Sequence, residues 1–377
     1  MTGSEINYDL LRPMVPFKDL LPSHLQQLLD ESETLYLFPG DVLCEKGQYD
    51  EVHYYLLYGE LLATNGDPGN AAVEAGDYRE SSLYPVASCQ PRPCRLQAKT
   101  EARVLQVNRE RLDQLLAWSQ AAEYLLVDFA RQRALDEDAA WLGTILKSNL
   151  FLKVPPTNVD QMFRHLQTRL VSADQVIVRQ GELGDCCYFI KEGEAEVVQY
   201  SDSDPRPRSV ARISAGRCFG EDALLRETVR NATVRMLTDG VLLSLAKTHF
   251  LQLLREPPVE QISWNGFLKQ ATSTTIVDVR TEAEYAQGHL RNAVNIPLNL
   301  LRLKGRMLTA AGSDKHQCVV YCNSGRRSAT ASYFLAKQGL SAVSLAGGIG
   351  QLEQEQCTPL WSTTDYVLHN GQVVEGH

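Results

Sequence analysis

The residues with the clearest chemical potential lie near the carboxyl end, where Cys318-Val-Val-Tyr321 leads directly into Cys322-Asn-Ser-Gly-Arg-Arg-Ser328. The first four residues have the apolar character of a buried strand, and a helical pattern follows at once over 328–338. A thiol at the end of such a strand, facing a helix start, sits where backbone N–H groups and the helix dipole favour an anion. Arg326 and Arg327 add positive charge beside it. Both effects are expected to lower the thiol pKa and raise the thiolate fraction, which makes Cys322 a candidate nucleophile. Ser324 and Gly325 complete its loop, with Arg327, joined by Arg326, expected to hold an anionic reactant. Cys318, inside the strand, is expected to be buried and inert.

A second constellation spans Phe219-Gly-Glu-Asp-Ala-Leu-Leu-Arg-Glu-Thr-Val-Arg-Asn-Ala-Thr-Val234. A glycine and an acid open an apolar turn, and Arg230 follows nine residues after Glu221. A cyclic nucleotide needs an acceptor for its ribose hydroxyl and a cation with donors for its ring phosphate. Glu221 suits the first role, and the planar fork of Arg230 suits the second. Backbone N–H groups near Ala223 would add donors, and Gly220 would let the backbone approach the sugar. Asn231 and Ala232 follow the arginine and complete the candidate ligand set.

These residues need elements to position them, and an internal repeat supplies most of them. Gly47-Gln-Tyr-Asp-Glu-Val-His-Tyr-Tyr-Leu-Leu-Tyr-Gly59-Glu60 parallels Gly181-Glu-Leu-Gly-Asp-Cys-Cys-Tyr-Phe-Ile-Lys-Glu-Gly193-Glu194, with twelve steps between the outer glycines in each. Val42-Leu43 matches Val176-Ile177, Ala75-Gly76 matches Ala215-Gly216, and Leu112-Asp-Gln-Leu-Leu116 matches Phe250-Leu-Gln-Leu-Leu254. One module is therefore expected twice, over 14–135 and 148–256. Each copy reads as a helix, many short β-branched or aromatic strands, and a closing helix, the pattern of a sandwich or roll. Ser119 to Leu146 carries apolar residues at helical spacing and reads as a helical connector.

After Trp264 the pattern changes to short, nearly all-apolar strands, Thr275–Val279, Cys318–Cys322 and Ala342–Leu345, alternating with helical segments. That alternation predicts an α/β domain with a largely parallel sheet. Tyr366 to Val374 has an Asn370-Gly371 turn between β-type residues and predicts a terminal hairpin.

The chain has 377 residues, a net charge of −9, 44% hydrophobic residues and 22% charged residues, a composition suited to two or three soluble domains. No basic surplus drives nonspecific nucleic-acid binding, and no apolar run reaches the length of about 18 residues that spans a bilayer. The nine cysteines are odd in number and irregular in spacing, which argues against a disulfide framework and against structural zinc and fits a reducing cytoplasm.

The 219–234 stretch resembles the phosphate-binding cassette of cyclic-nucleotide-binding domains, as in regulatory subunits of cAMP-dependent protein kinase. The family pattern F-G-E-x-A-L then R-x-A-T-V is met by Phe219, Gly220, Glu221, Ala223, Leu224, Arg230, Ala232, Thr233 and Val234. The resemblance implies a cyclic nucleotide as regulatory ligand, cAMP ahead of cGMP, although Asn231 stands where the family has Ala or Thr. In the first copy Arg79 replaces the close-approach glycine, Arg92 aligns with Arg230 only after two inserted residues, and Pro93 removes a backbone N–H. That copy is expected to be a degenerate, structural or dimerising module.

The Cys322 loop resembles the active loop of rhodanese domains. Asp278-Val-Arg280, Glu284-Tyr285, Gly288-His289-Leu290, Asn295-Ile-Pro297 and Leu345-Ala-Gly-Gly-Ile349 extend the match over about 262–361. The resemblance implies sulfane-sulfur transfer through a Cys322 persulfide, from an anionic donor such as thiosulfate to a thiol or cyanide-like acceptor. Asp278, Arg280 and Glu284 are expected to support the fold. Cysteine phosphatases need their arginine six positions after the cysteine, and here that position is Ser328. A helix-turn-helix regulator is disfavoured because the rhodanese-like segment follows the second module.

The expected architecture is thus multidomain: two α+β cyclic-nucleotide-binding β-rolls of jelly-roll type with flanking helices, then an α/β rhodanese-like domain. The expected activity is a cyclic-nucleotide-responsive thiosulfate sulfurtransferase, cytoplasmic, without metal, nucleic-acid or membrane partner, and dimeric by family habit. The alternative is a non-catalytic signalling protein whose rhodanese-like domain senses or carries sulfur or binds a partner.

Overall fold

The computed structural model describes residues 8–64, 71–75, 83–132, 154–201, 204–270, 274–311, 317–350, 352, 361–369 and 372–376. They form two compact units, Met1–Tyr124 with Val259–His377, and Leu125–Pro258. The first and last of the three expected segments therefore share one unit.

In the first unit, α1 (Tyr8–Leu11) and α2 (Pro22–Asp30) precede a sheet of β1 (Glu33–Leu37), β2 (Val42–Cys44), β3 (Val52–Thr64), β4 (Ala71–Ala75), β5 (Arg95–Ala98) and β6 (Ala102–Asn108). Pro22 starts α2 at a position where a missing N–H costs nothing, and the helix buries Leu25 and Leu28. Each such leucine contributes about 1.5–3 kcal/mol. The strand order is β1-β6-β3-β5-β2, with β4 on β3. The long β3 bridges both halves, and its pairing with β6 slips between Leu56 and Tyr58, just before Gly59 at φ 91°.

Without a loop, β6 passes into α3 (Arg109–Gln132). Eight consecutive residues, Leu115 to Ala122, are buried on every face of this helix. A helix covered all round lies between two bodies rather than on one. On one side the Ser119 hydroxyl lies 2.8 Å from His24 Nδ1 of α2. On the other, Tyr124 stacks on Phe334 of the C-terminal segment with centroids 4.0 Å apart. The expected connector helix is seen to Gln132, and the remainder of that expectation, to Leu146, falls outside the described residues.

The second unit contains α4 (Val159–His165), β7 (Gln167–Val171), β8 (Val176–Val178), β9 (Cys186–Glu192), β10 (Glu194–Ser201), β11 (Asp204–Ser214), β12 (Cys218–Phe219), α5 (Glu221–Leu225), β13 (Thr233–Met236), β14 (Gly240–Ala246) and α6 (Lys247–Leu253). Two four-stranded sheets, β11-β10-β13-β8 and β12-β9-β14-β7, make the roll. Val178, Ile190, Ala195, Val234, Met236 and Leu242 are among the buried side chains of its core.

The C-terminal part of the first unit has α7 (Trp264–Gln270), α8 (Glu282–Ala286), α9 (Leu301–Lys304) and α10 (Arg326–Lys337). Its main sheet takes β15 (Gln261–Ile262), β16 (Thr275–Asp278), β18 (Ala293–Asn295), β19 (Cys318–Tyr321) and β20 (Ala342–Leu345), after the short β17 (His289–Leu290). The order is β15-β20-β19-β16-β18 and every pair is parallel, as the apolar runs predict. Short β21 (Trp361–Ser362) pairs with β17. The terminal hairpin is present as β22 (Tyr366–His369) against β23 (Gln372–Glu375), while its Asn370-Gly371 turn falls outside the described residues. Among the described residues no helix is long and apolar enough to cross a membrane.

Candidate functional site

Cys322 follows the last residue of β19, and its Sγ accepts the amide N–H of Gly325 at 3.1 Å and of Ser328 at 3.4 Å. Gly325 caps α10 at φ 92°, a left-handed turn that aims these amides back at the sulfur. The loop is pinned from behind by Ile349 N–H to the Cys322 carbonyl at 2.9 Å and Gly350 N–H to the Asn323 carbonyl at 2.7 Å. Gly348, at φ 64°, leaves the room for this, since a Cβ there would overlap the carbonyls of both loop residues. The Ala-Gly-Gly-Ile run, carried in the sequence only by resemblance, therefore has a packing reason. Asn292 has a φ of 62°, a left-handed conformation that asparagine tolerates.

Arg327 does not face an open anion site. Its guanidinium is fully buried, with Nη1 and Nη2 at 2.7 and 2.8 Å from the Glu284 carboxylate and Nη2 at 2.6 Å from Asp113 Oδ1. Arg326 pairs with Glu110. Both arginines expected at a donor are engaged by carboxylates, because two acids of α3 pack onto the loop. Glu284 closes a capping box with Thr281 and also accepts Asn323 Nδ2 at 2.7 Å. Burial opposes its charge, but Arg327, the hydrogen bonds and Arg280 outweigh it and hold the carboxyl at about 2. Asp278 and Arg280 brace the neighbouring turn, with Nη2 2.6 Å from Oδ2 and 2.8 Å from the Gly288 carbonyl.

The expected lowering of the Cys322 pKa is not met in this arrangement. Burial pushes the thiol up and the Asp113 charge pushes it further, against opposing contributions from Arg327 and Ser328. Ser324 donates its hydroxyl to Asp113 Oδ2, which lies 3.9 Å from Sγ. Asp113 has no local signal in the sequence, where it appears only inside the Leu112–Leu116 stretch that matches Phe250–Leu254. Its role depends on what α3 packs against.

In the second roll Gly220, Glu221, Ala223 and Arg230 come together. Gly220 has φ 86°, and a Cβ on it would stand 2.7 Å from Arg230 Nη1. Arg230 is buried and donates Nη1 to the Gly220 carbonyl at 2.5 Å and Nη2 to the Cys186 carbonyl at 2.6 Å. Its pair with Asp185 at 3.4 Å is weak because that acid is 85% exposed. Glu221 is buried at the start of α5, with Cys218 Sγ 3.8 Å from its Oε2. Ala232 is buried and Asn231 exposed. A cavity of about 720 Å³ opens elsewhere on this roll, with Thr233 and Arg235 in its wall, while the alternate Val234 and Met236 face the core. Gly220, Glu221 and Arg230 do not line it.

The first unit repeats part of this frame. Gly47 N–H donates to the Arg92 carbonyl at 2.8 Å as Gly181 N–H does to Arg230 at 2.9 Å, and Arg92 and Arg230 N–H donate in turn to Gln48 and Glu182, both at 2.8 Å. Arg92 thus occupies the Arg230 position despite the insertion. Residues 78–82, where the first copy's cassette and Arg79 were expected, fall outside the described residues.

Residues 168–256 match the family model of the cyclic nucleotide-binding domain, and residues 265–355 match the rhodanese-like domain. Over 73 residues, 19% of this chain and 68% of the relative, the chain is 40% identical to the thiosulfate sulfurtransferase PspE of Escherichia coli strain K12. Over 89 residues it is 42% identical to the cAMP-dependent protein kinase regulatory subunit of Schizosaccharomyces pombe, covering 24% of this chain and 20% of that one. Over 175 residues it is 24% identical to the cGMP-dependent protein kinase egl-4 of Caenorhabditis elegans, covering 41% of this chain and 22% of that one. The matches span about a fifth of the length of both kinase proteins. The chain carries a cyclic nucleotide-binding domain of jelly-roll fold followed by a rhodanese domain. Through that C-terminal domain it belongs to the rhodanese-like family.

Proposed function

We propose that this chain is a cyclic-nucleotide-responsive sulfurtransferase that moves sulfane sulfur from an anionic donor such as thiosulfate to a thiol or cyanide-like acceptor. The observation that carries this reading is the Cys322 Sγ held between the amides of Gly325 and Ser328. Two converging N–H groups, with the Ser328 hydroxyl 3.6 Å from Sγ, stabilise a thiolate and afterwards a persulfide. The thiolate attacks the outer sulfur of thiosulfate, the S–S bond of the donor breaks, and its electron pair leaves with sulfite. Cyanide then takes the outer sulfur of the persulfide as thiocyanate and returns the thiolate. No redox partner or metal is needed.

In the second roll the ring phosphate would take the Arg230 donors now held by the Gly220 and Cys186 carbonyls, and Glu221 would accept from the ribose. The similarity to a cAMP-dependent kinase regulatory subunit favours cAMP over cGMP. We read the first roll as a degenerate second copy of the domain. Support comes from Arg92, which Asp50 already binds through both oxygens, at the repeat position where the second roll has Gly184. One nucleotide per chain is then expected in calorimetric titration. The odd, irregular cysteine set favours a reducing cytoplasm, and a homodimer is retained as part of the proposal.

The test is thiosulfate-to-cyanide transfer, followed as thiocyanate, with and without cAMP and cGMP. Cys322→Ser is expected to abolish transfer and Arg230→Ala to remove the nucleotide response. Transfer that survives Cys322→Ser ends the catalytic assignment, and indifference to both nucleotides ends the regulatory one. A second reading, a rhodanese domain that binds or senses without turnover, is favoured by the complete burial of Cys322. Absence of turnover in every variant and nucleotide condition would select it.

A further inference from the structure

Asp113 belongs to α3, outside the rhodanese-like segment, yet its carboxylate lies within the thiol loop of the same unit. Oδ1 is 2.6 Å from Arg327 Nη2. Oδ2 accepts from the Ser324 hydroxyl and stands 3.9 Å from Cys322 Sγ. Just before it on α3, Glu110 takes Arg326. The thiol, the loop hydroxyl and both loop arginines therefore face carboxylates from a single helix.

Closure is complete at the sulfur, since Cys322 has 0% of its surface exposed and Asp113 only 4%. Sγ is thus closed to solvent, and the Asp113 carboxylate, 3.9 Å away, is one of the groups packed against it. Asp113 is not needed to balance Arg327, because Glu284 already pairs with that guanidinium through both oxygens. It adds a second buried acid to one cation and places it beside a nucleophile that must become an anion, a costly arrangement for a purely structural pair. The groups that hold the Asp113 carboxylate, a hydroxyl and a guanidinium, are also those that would hold the terminal oxygens of a small oxyanion.

We propose that α3 is a built-in occupant of the sulfur-transfer loop, with Asp113 standing where the oxygens of an anionic donor would bind and moving out when the donor enters. The inference rests on the sulfurtransferase reading but makes a separate claim, that the thiol is closed by its own chain. Asp113 and the donor compete for Ser324 and Arg327, so weakening one strengthens the other.

The test uses the full chain with Asp113→Ala and the isosteric Asp113→Asn. Two quantities are read: alkylation of Cys322 by neutral iodoacetamide, followed on its own peptide by mass spectrometry, and kcat/KM for thiosulfate. Both are expected to rise by about tenfold or more in Asp113→Ala, and by less in Asp113→Asn, which keeps the hydrogen bond and loses the charge. The Asn variant carries the test if the Ala variant does not fold. Alkylation and kcat/KM at or below the wild-type values in a folded variant overturn the proposal. Faster alkylation without sulfur transfer in any form upholds the closure and defeats the sulfurtransferase reading instead. Unchanged alkylation with normal transfer defeats the closure alone.

Discussion

Arg92 and Asp50 form a buried ion pair in the first unit, with Arg92 Nε 2.9 Å from Asp50 Oδ2 and the guanidinium closed to solvent. Arg92 also donates to the Ala87 and Val52 carbonyls, both at 2.7 Å, so the pair holds the inserted loop against β3. Asp50→Ala leaves that cation buried without an anionic partner, held by two carbonyls and the Tyr54 ring. The expected loss is about 3 kcal/mol, at the lower end for breaking buried pairs because Asp50 keeps some exposure. Urea unfolding of the variant against wild type measures it, and cyclic-nucleotide affinity is expected to stay unchanged.

Gly220→Ala bears on the second roll. The residue would keep a φ near 86° while its methyl group meets Arg230 Nη1. The strain of about 1–3 kcal/mol is expected to appear in the cassette and not across the fold. Cyclic-nucleotide affinity should fall by about tenfold or more and Tm by several degrees, and calorimetric titration beside a thermal melt reads both.

Glu284 sets an acid limit for the first unit. Burial opposes its ionisation, yet Arg327 and the hydrogen bonds hold its carboxyl at about 2, below the ordinary value of 4.5. A carboxyl depressed in the folded state stabilises it fully above the unfolded pKa, and this is lost as pH falls from about 4.5 through about 2. The contribution is about 3 kcal/mol. Denaturant midpoints measured from pH 6 down to pH 2.5 should show the loss, and Glu284→Gln should be less stable at pH 6 with a flatter dependence across that window.

Gly348→Ala is expected to disable the thiol loop from behind. The added methyl group overlaps the Cys322 and Asn323 carbonyls, so the loop must shift or the turn must open. Sulfur transfer should fall at least about 100-fold through kcat, as displacement of a positioned nucleophile does. The variant should still unfold cooperatively, with a loss of about 1–3 kcal/mol. Thiocyanate formation and a thermal melt check the two parts.

Much of the molecule was legible in its residues because the informative groups are close together in the chain. Cys322, Gly325 and Ser328 sit on one strand-to-helix turn, so their order alone brings two amides to the sulfur. Gly220, Glu221, Ala223 and Arg230 come from one short stretch, and the parallel sheet follows from apolar runs separated by helices. The repeated glycines likewise anticipated the matched backbone pairs at Arg92 and Arg230.

Other properties required the packed chain. The turn alone predicts a lowered Cys322 pKa, whereas desolvation and the Asp113 charge from α3 push it up against Arg327 and Ser328. The engagement of Arg327 by Glu284 and Asp113, and of Arg92 by Asp50, depends on residues that folding brings together from distant parts of the chain. By itself the sequence determined which side chains each turn presents. Tertiary structure decided their charge partners and their access to solvent, because Coulomb energy and hydration depend on distance and burial in space, which spacing along the chain does not encode.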